Sequence, residues 1–113
     1  MNITAESYGH ATILNLKGEF VEDALAAVRK AVDHTLEGAG VVDVIFNLEE
    51  VPFLDSAAME YLLDLQDRLA ERLGQVKLVK VGESVATILE VTRLRSCFEV
   101  FADIPEAVKA LQP

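Results

Sequence analysis

Residues 42–59 read Val-Asp-Val-Ile-Phe-Asn-Leu-Glu-Glu-Val-Pro-Phe-Leu-Asp-Ser-Ala-Ala-Met. The run from Val41 to Leu48 is rich in β-branched residues, which is typical of an interior strand. After a short loop, Asp55 or Ser56 is placed to cap the start of a helix. In an α/β sheet this loop lies at the carboxyl end of a strand, where functional groups are usually displayed.

The segment before this stretch predicts a hairpin and then a helix. One strand is expected from Met1 to Ser7 and a second from Ala11 to Lys17, with a turn at Tyr8-Gly9-His10. From Val21 to Glu37 apolar residues recur at intervals of three and four, which indicates an amphipathic helix. The apolar positions of this helix are Leu25, Val28, Val32 and Leu36.

The segment after it predicts three helices and two strands. The helix that starts at Asp55 or Ser56 ends at Gly74, and its expected buried face is Met59, Leu62, Leu63, Leu69 and Leu73. A strand from Val76 to Val81 follows, and Ser84 is expected to cap a short helix. A strand from Phe98 to Phe101 precedes a last helix, which the capping-box spacing of residues 103–106 opens and which runs through Leu111.

The predicted order is therefore β-β-α-β-α-β-α-β-α. Strands that alternate with helices imply a largely parallel sheet, and the opening hairpin adds one antiparallel edge. We expect an α/β fold with about five strands and about four helices. The chain has 113 residues and nothing that resembles a linker, so a single domain over residues 1–113 is expected.

The composition narrows the classes of partner. The net charge is −9, which would repel phosphate backbones and anionic lipid headgroups, so nucleic acid and membrane surfaces are poor candidates. No apolar stretch approaches the ~20 residues that span a bilayer, and the N-terminus does not resemble a signal peptide. Cys97 is the single cysteine and is expected to be a buried structural thiol. A cytoplasmic location is the expectation.

The sequence offers no pattern that predicts catalysis. The six glycines are dispersed and form no phosphate-binding loop, while His10 and His34 lack the spacing of metal ligands. The acidic residues Asp64, Asp67 and Glu71 fit the solvent face of a helix. We therefore expect no enzyme, no cofactor and no metal.

Ser56 can be interpreted in two ways. Asp and Ser are favoured N-cap residues and stabilise a helix by ~1 kcal/mol without any further role. A phosphate on Ser56 would meet the unpaired N–H groups of a helix start, and it would add about −1.5 to −2 charge to an already acidic region. The second interpretation predicts an on/off switch for binding.

Several motifs resemble the STAS family over nearly the whole chain. The family's Leu-x-Gly-Glu-Leu loop is matched by residues 16–20, and its Asp-Leu-x-x-Val-x-x-Ile-Asp-Ser run by residues 47–56. Residues 76–79 and 88–94, with Phe98, are similar to the later strand, third helix and closing strand of the family. The resemblance is to the anti-sigma-factor antagonist type.

That resemblance implies a function and a site. Ser56 would be the phosphorylation site, and Asp55 would help to position it. The unphosphorylated domain would bind an anti-sigma factor that is also a serine kinase and would so regulate transcription, with the kinase supplying ATP. The loop after the second strand and the start of the second helix would form the docking surface, namely Gly18, Glu19, Phe20, Val21, Glu22, Asp55, Ala57, Ala58 and Met59.

The chain departs from the family pattern at four positions. Ala57 and Ala58 replace a hydroxyl residue and a Gly, and Val21 and Asn47 replace acidic residues. A methyl group at Ala58 is expected where a partner would approach closely. The alternative function is a constitutive STAS subunit of a stress-sensing scaffold or of a lipid-transport ATPase complex, in which Ser56 would be only a helix cap. A transporter with this domain at its tail is not expected.

Overall fold

A computed structural model describes residues 1–38 and 40–111 and contains one five-stranded sheet in the order β1-β2-β3-β4-β5. The strands are β1 (Asn2–Tyr8), β2 (Ala11–Lys17), β3 (Asp43–Glu50), β4 (Val76–Val79) and β5 (Glu99–Phe101). β1 is antiparallel to β2, and all the other neighbours are parallel. The mixed, largely parallel sheet expected from the sequence is confirmed.

Four α-helices cover the sheet. They are α1 (Leu25–Leu36), α2 (Ser56–Ala70), α3 (Glu83–Val91) and α4 (Ile104–Ala110), and short 3-10 turns lie at Glu22–Ala24 and Arg95–Cys97. The four apolar positions predicted for the first helix are all buried. Asp103 caps α4 by accepting a hydrogen bond from the N–H of Glu106, as the capping-box spacing indicates.

The two faces of the sheet pack differently. The strand residues Leu14, Phe46 and Leu78 bury one face under α1, α2 and α3 in a large core. A smaller cluster on the other face contains Ile13 and Ala107, where the short helix α4 packs. α4 contacts β3, β4 and β5, so the face of β1 opposite α1 is left uncovered by this helix.

Several sequence expectations were wrong. Ser84 does not cap α3, because Gly82 occupies the N-cap position and the helix begins at Glu83. Leu73 is 93% exposed instead of buried, since α2 ends at Ala70 and the backbone at Leu73 turns into the left-handed region with φ 61°. Cys97 is exposed, because it lies on a surface 3-10 turn before β5.

Two of the predicted strands have other boundaries in the structure. The strand expected to reach Val81 ends at Val79, and the strand expected from Phe98 begins at Glu99. Residues 39, 112 and 113 of the expected domain lie outside the described residues. Within the described ranges, no helix is long and apolar enough to cross a membrane.

Candidate functional site

Asp55 joins two segments at the carboxyl end of the sheet. It is the N-cap of α2, and its Oδ1 accepts a hydrogen bond from the Ala58 N–H at 2.9 Å. Its Oδ2 accepts a second bond from the Glu22 N–H at 2.8 Å, at the start of the 3-10 turn that precedes α1. One carboxylate therefore caps a helix and fixes the loop after β2.

Backbone contacts hold the same two segments side by side. The Phe20 N–H donates to the Phe53 carbonyl at 3.0 Å, and the Asp55 N–H donates to the Phe20 carbonyl at 3.3 Å. Phe20 also forms an isolated parallel bridge with Leu54, and both side chains are fully buried. The loop after β2 is thus an extension of the sheet and presents its remaining side chains from a fixed backbone.

Gly18 begins this loop in a conformation that favours glycine. Its φ is 118°, a region that residues with a Cβ rarely adopt. Its N–H donates to the Glu50 carbonyl at 3.0 Å, so the chain leaves β2 while it remains paired to the end of β3.

Ser56 is the first helical residue of α2, and its side chain is exposed. The first intrahelical backbone bond runs from the Met59 N–H to the Asp55 carbonyl at 3.1 Å. Asp55, and not Ser56, therefore supplies the cap that the sequence left open between the two. Ser56 thus lies at the positive end of the helix and is not its N-cap.

The surroundings of Ser56 are acidic. Segments 18–23 and 53–60 contain five carboxylates and no basic side chain: Glu19, Glu22, Asp23, Asp55 and Glu60. All except Asp55 are exposed. A binding partner of this surface would need a basic or mixed face.

The docking residues expected from the sequence divide into two groups. Exposed or half-buried positions are Gly18, Glu19, Val21, Glu22, Asp55 and Ala57. Phe20, Ala58 and Met59 are buried at 0%, 0% and 5% exposure, so their side chains belong to the core and have little surface to offer a partner. These three side chains support the exposed residues of the site from the core side.

Two of the departures from the family pattern can now be located. The Ala58 side chain is fully buried, so its methyl group packs into the core and does not obstruct a partner, contrary to the sequence expectation. Asn47 bridges two strands, because its Nδ2 donates to Asn15 Oδ1 at 2.8 Å and its Oδ1 accepts from the Glu49 N–H at 3.1 Å. An amide can do both, whereas an aspartate in its place could only accept.

Sequence reasoning missed Phe53 as a surface residue. This side chain is 43% exposed, and it lies between Pro52 and the buried Leu54 in the loop that leads to Asp55. A large apolar side chain beside a charged rim is a common anchor in protein interfaces. Its place in a short loop next to Pro52 was the available signal, since loops lie at the surface.

Other chemistry is not assembled around Ser56. His10 is exposed and lies 3.1 Å through Nδ1 from the Gly40 carbonyl, and His34 is exposed on α1. Across residues 1–38 and 40–111, no group of three potential metal ligands is present.

A cleft of about 590 Å³ lies between the end of β3 and the start of α3, lined among others by Glu49, Glu50 and Glu83. Lys17 also lines the cleft and lies 4.0 Å from Glu50, so the lining is mixed in charge.

The STAS domain family model matches residues 2–107. The chain belongs to the STAS domain family. The resemblance seen in the motifs of the sequence is thereby confirmed at the level of the family.

Solved structures share the fold of this STAS domain. An anti-sigma factor antagonist from Mycobacterium paratuberculosis superposes with a TM-score of 0.84 at 18% identity, covering 99% of this chain and 94% of that one. The anti-sigma factor antagonist SpoIIAA in its unphosphorylated form gives 0.80 at 20% identity, covering 96% and 95%. Phosphorylated SpoIIAA, a Bacillus cell fate determinant, gives 0.72 at 19% identity, covering 98% and 100%.

A transporter also contains this fold. The murine anion transporter Slc26a9 matches with a TM-score of 0.74 at 19% identity. The match covers 95% of this chain and 18% of the transporter chain. At such identities the likeness of these proteins establishes the STAS fold.

Proposed function

We propose that this STAS domain is a phosphorylation-switched binding protein. In the unphosphorylated state it sequesters an anti-sigma factor that is also a serine kinase, and it thereby regulates transcription in the cytoplasm of a bacterial cell. Ser56 is the phosphoacceptor. The domain acts by binding and not by catalysis, and the kinase brings the nucleotide.

The observation that carries the proposal is the exposed hydroxyl of Ser56 at the start of α2, beside a cap that Asp55 already supplies. Because Asp55 supplies the cap, a kinase could modify Ser56 without removing any side-chain hydrogen bond seen among residues 1–38 and 40–111. The fold shared with an antagonist known in unphosphorylated and phosphorylated forms is consistent with this role.

The size and the charge of a phosphate set the proposed direction of the switch. Phosphorylation would add about −1.5 to −2 charge at a surface that already carries Glu19, Glu22 and Glu60. The neighbouring segments offer no basic side chain to neutralise the added charge. Against a close-packed partner face, the bulk of the phosphate and the cost of desolvating its charge would outweigh its attraction to basic groups, so phosphorylation weakens binding and the domain itself needs no refolding.

The docking surface in this proposal is a rim around Ser56. It consists of the exposed residues Glu19 and Glu22 from the loop after β2, and of Phe53, Ala57 and Glu60 beside Ser56. The apolar Phe53 supplies contact area, and the carboxylates favour a basic partner. Binding should therefore weaken as the salt concentration is raised.

The test is quantitative affinity capture from the native lysate with wild-type, Ser56→Ala and Ser56→Asp baits. Ser96→Asp is the matched control, since Ser96 is exposed on the 3-10 turn that leads into β5, at the opposite end of the sheet. We expect a kinase-like ATPase to bind wild type, Ser56→Ala and Ser96→Asp and to be lost from Ser56→Asp.

The contrary result is also specific. If all four baits retain the same scaffold or transporter proteins in equal amounts, Ser56 is not a switch. The chain would then be a constitutive subunit, and the proposed function would be wrong.

A further inference from the structure

β1 is an edge strand with an unprotected side. It lies at the end of the sheet, pairs with β2 alone and has seven residues, of which six are exposed. Its pairing with β2 runs from Asn2↔Lys17 to Tyr8↔Ala11 without a register shift. Natural edges are usually protected by lysines, prolines, bulges or short length, and β1 has none of these features.

The other edge of the sheet differs. β5 has only three residues and is contacted by α4. A short strand offers few backbone groups to a new neighbour. Of the two edges, β1 alone presents a long row of N–H and C=O groups on its outer side.

We propose that β1 pairs antiparallel with β1 of a second copy of this chain, forming a two-fold dimer with a continuous ten-stranded sheet. Such an interface is self-complementary, as a two-fold axis requires. The proposal does not depend on the switch at Ser56, which lies at the start of α2.

The pleat and the charges select one register. In an antiparallel pair, directly opposed residues point to the same face of the sheet. The two-fold axis must therefore set one residue opposite its own copy, because an axis between two successive residues would oppose side chains from different faces. An axis at Ala5 pairs all seven residues and sets Thr4 opposite Glu6 of the second copy. An axis at Glu6 would oppose two carboxylates, and an axis at Thr4 would pair only residues 2–6.

The surface beside the edge is apolar and carries few charges. A groove of about 340 Å³ runs between β1 and α1 and is lined by Ile3, Ala5, Ala27, Lys30, Ala31, His34 and Thr35. An axis at Ala5 brings the two copies of this groove together. β1 carries one charge, Glu6, whereas the chain as a whole carries −9, so two acidic copies would meet little direct charge repulsion along this edge.

Sedimentation velocity over a concentration series tests the proposal, with variants at Thr4, which is exposed. Thr4→Glu opposes two carboxylate pairs across the axis and is expected to weaken association about tenfold, while Thr4→Lys creates two attractive pairs and strengthens it. The double variant Thr4→Glu with Glu6→Lys places opposite charges across the axis and should recover association. Wild-type association should strengthen with salt, because the net charges repel.

A matched control places the same charges away from the edge, at the exposed Thr87 of α3. Thr87→Glu and Thr87→Lys should differ far less than the Thr4 pair. A wild type that stays monomeric throughout the series would overturn the proposal. So would a dimer whose stability is the same in Thr4→Glu and Thr4→Lys, since that dimer would use another face.

Discussion

The carboxylate of Asp55 accepts the Glu22 N–H at 2.8 Å and thereby fixes the loop after β2 to the start of α2, 33 residues further along the chain. The other oxygen accepts the Ala58 N–H. The two segments that surround Ser56 therefore share a single anchoring group. Removal of that group would release both the helix start and the loop.

Asp55→Asn should separate the two roles of this side chain. An amide oxygen can still cap the Ala58 N–H, but the amide nitrogen cannot accept from Glu22. We expect amide hydrogen exchange at Glu22 to accelerate while Ala58 stays protected. Asp55→Ala should lose both bonds and about 1–2 kcal/mol of unfolding free energy. Equal protection of Glu22 in wild type and Asp55→Asn would contradict the anchoring role.

Tyr61 should make the protein less stable in alkali. Burial raises the pKa of Tyr61 to about 12, and the nearby carboxylate of Asp33 adds to the rise, while Arg68 and Arg29 oppose it. Because the folded pKa exceeds the unfolded value of 10, the neutral phenol is favoured in the fold. Ionisation of Tyr61 should therefore lower the unfolding free energy, relative to its value at neutral pH, by roughly 3 kcal/mol as the pH rises from ~10 to ~12.

The test of Tyr61 uses two tyrosine variants. Tyr8→Phe leaves Tyr61 as the one remaining tyrosine, and its tyrosinate absorbance should rise near pH 12. The Tyr61 hydroxyl is buried and has no hydrogen-bond partner within the described part of the chain. Tyr61→Phe should therefore raise the unfolding free energy by up to about 1 kcal/mol at neutral pH. A destabilised Tyr61→Phe would indicate a partner for the hydroxyl.

The stability of the fold should depend on the ion pair between the buried Lys77 and Glu99. Its side chain is 2% exposed in the sheet, and Nζ lies 2.7 Å from Glu99 Oε1. Glu99→Gln would leave a buried ammonium without its carboxylate and should lower the unfolding free energy by about 1–3 kcal/mol. Lys77→Met should be neutral or stabilising, because it removes the charge together with its desolvation cost. Urea unfolding of the two variants and their combination measures the coupling, and equal losses would contradict this view.

The order of strands and helices could be predicted from the sequence, because the spacing of apolar residues differs clearly between the two kinds of element. Sequence reasoning misjudged Leu73 because this residue lies four positions after the buried Leu69, while the backbone has already left the helix. It could not choose between Asp55 and Ser56, since both are good caps. The folded loop also gives Asp55 a second donor, the Glu22 N–H, which no local pattern in the sequence reveals.

The location of the site, but not its exposed surface, could also be predicted from the sequence. Motif spacing located the loop and the helix start, but it could not tell which side chains face outward. Phe20 lies in a loop two residues after Gly18, yet its backbone bridges to Leu54 and its side chain is buried in the core. The exposure of Cys97 likewise follows from tertiary packing and not from local pattern.

The most direct test of the switch is the phosphorylation state of the protein in its own cells. The wild-type chain would be isolated with phosphatases blocked, and its peptides would be mapped by mass spectrometry, with Ser56→Ala as the control. Our account predicts a phosphate on Ser56 in part of the population, and the partner bound only to chains that lack it. A partner that co-purifies equally with phosphorylated chains, or a Ser56 that is never modified while the partner binds and dissociates, would contradict it.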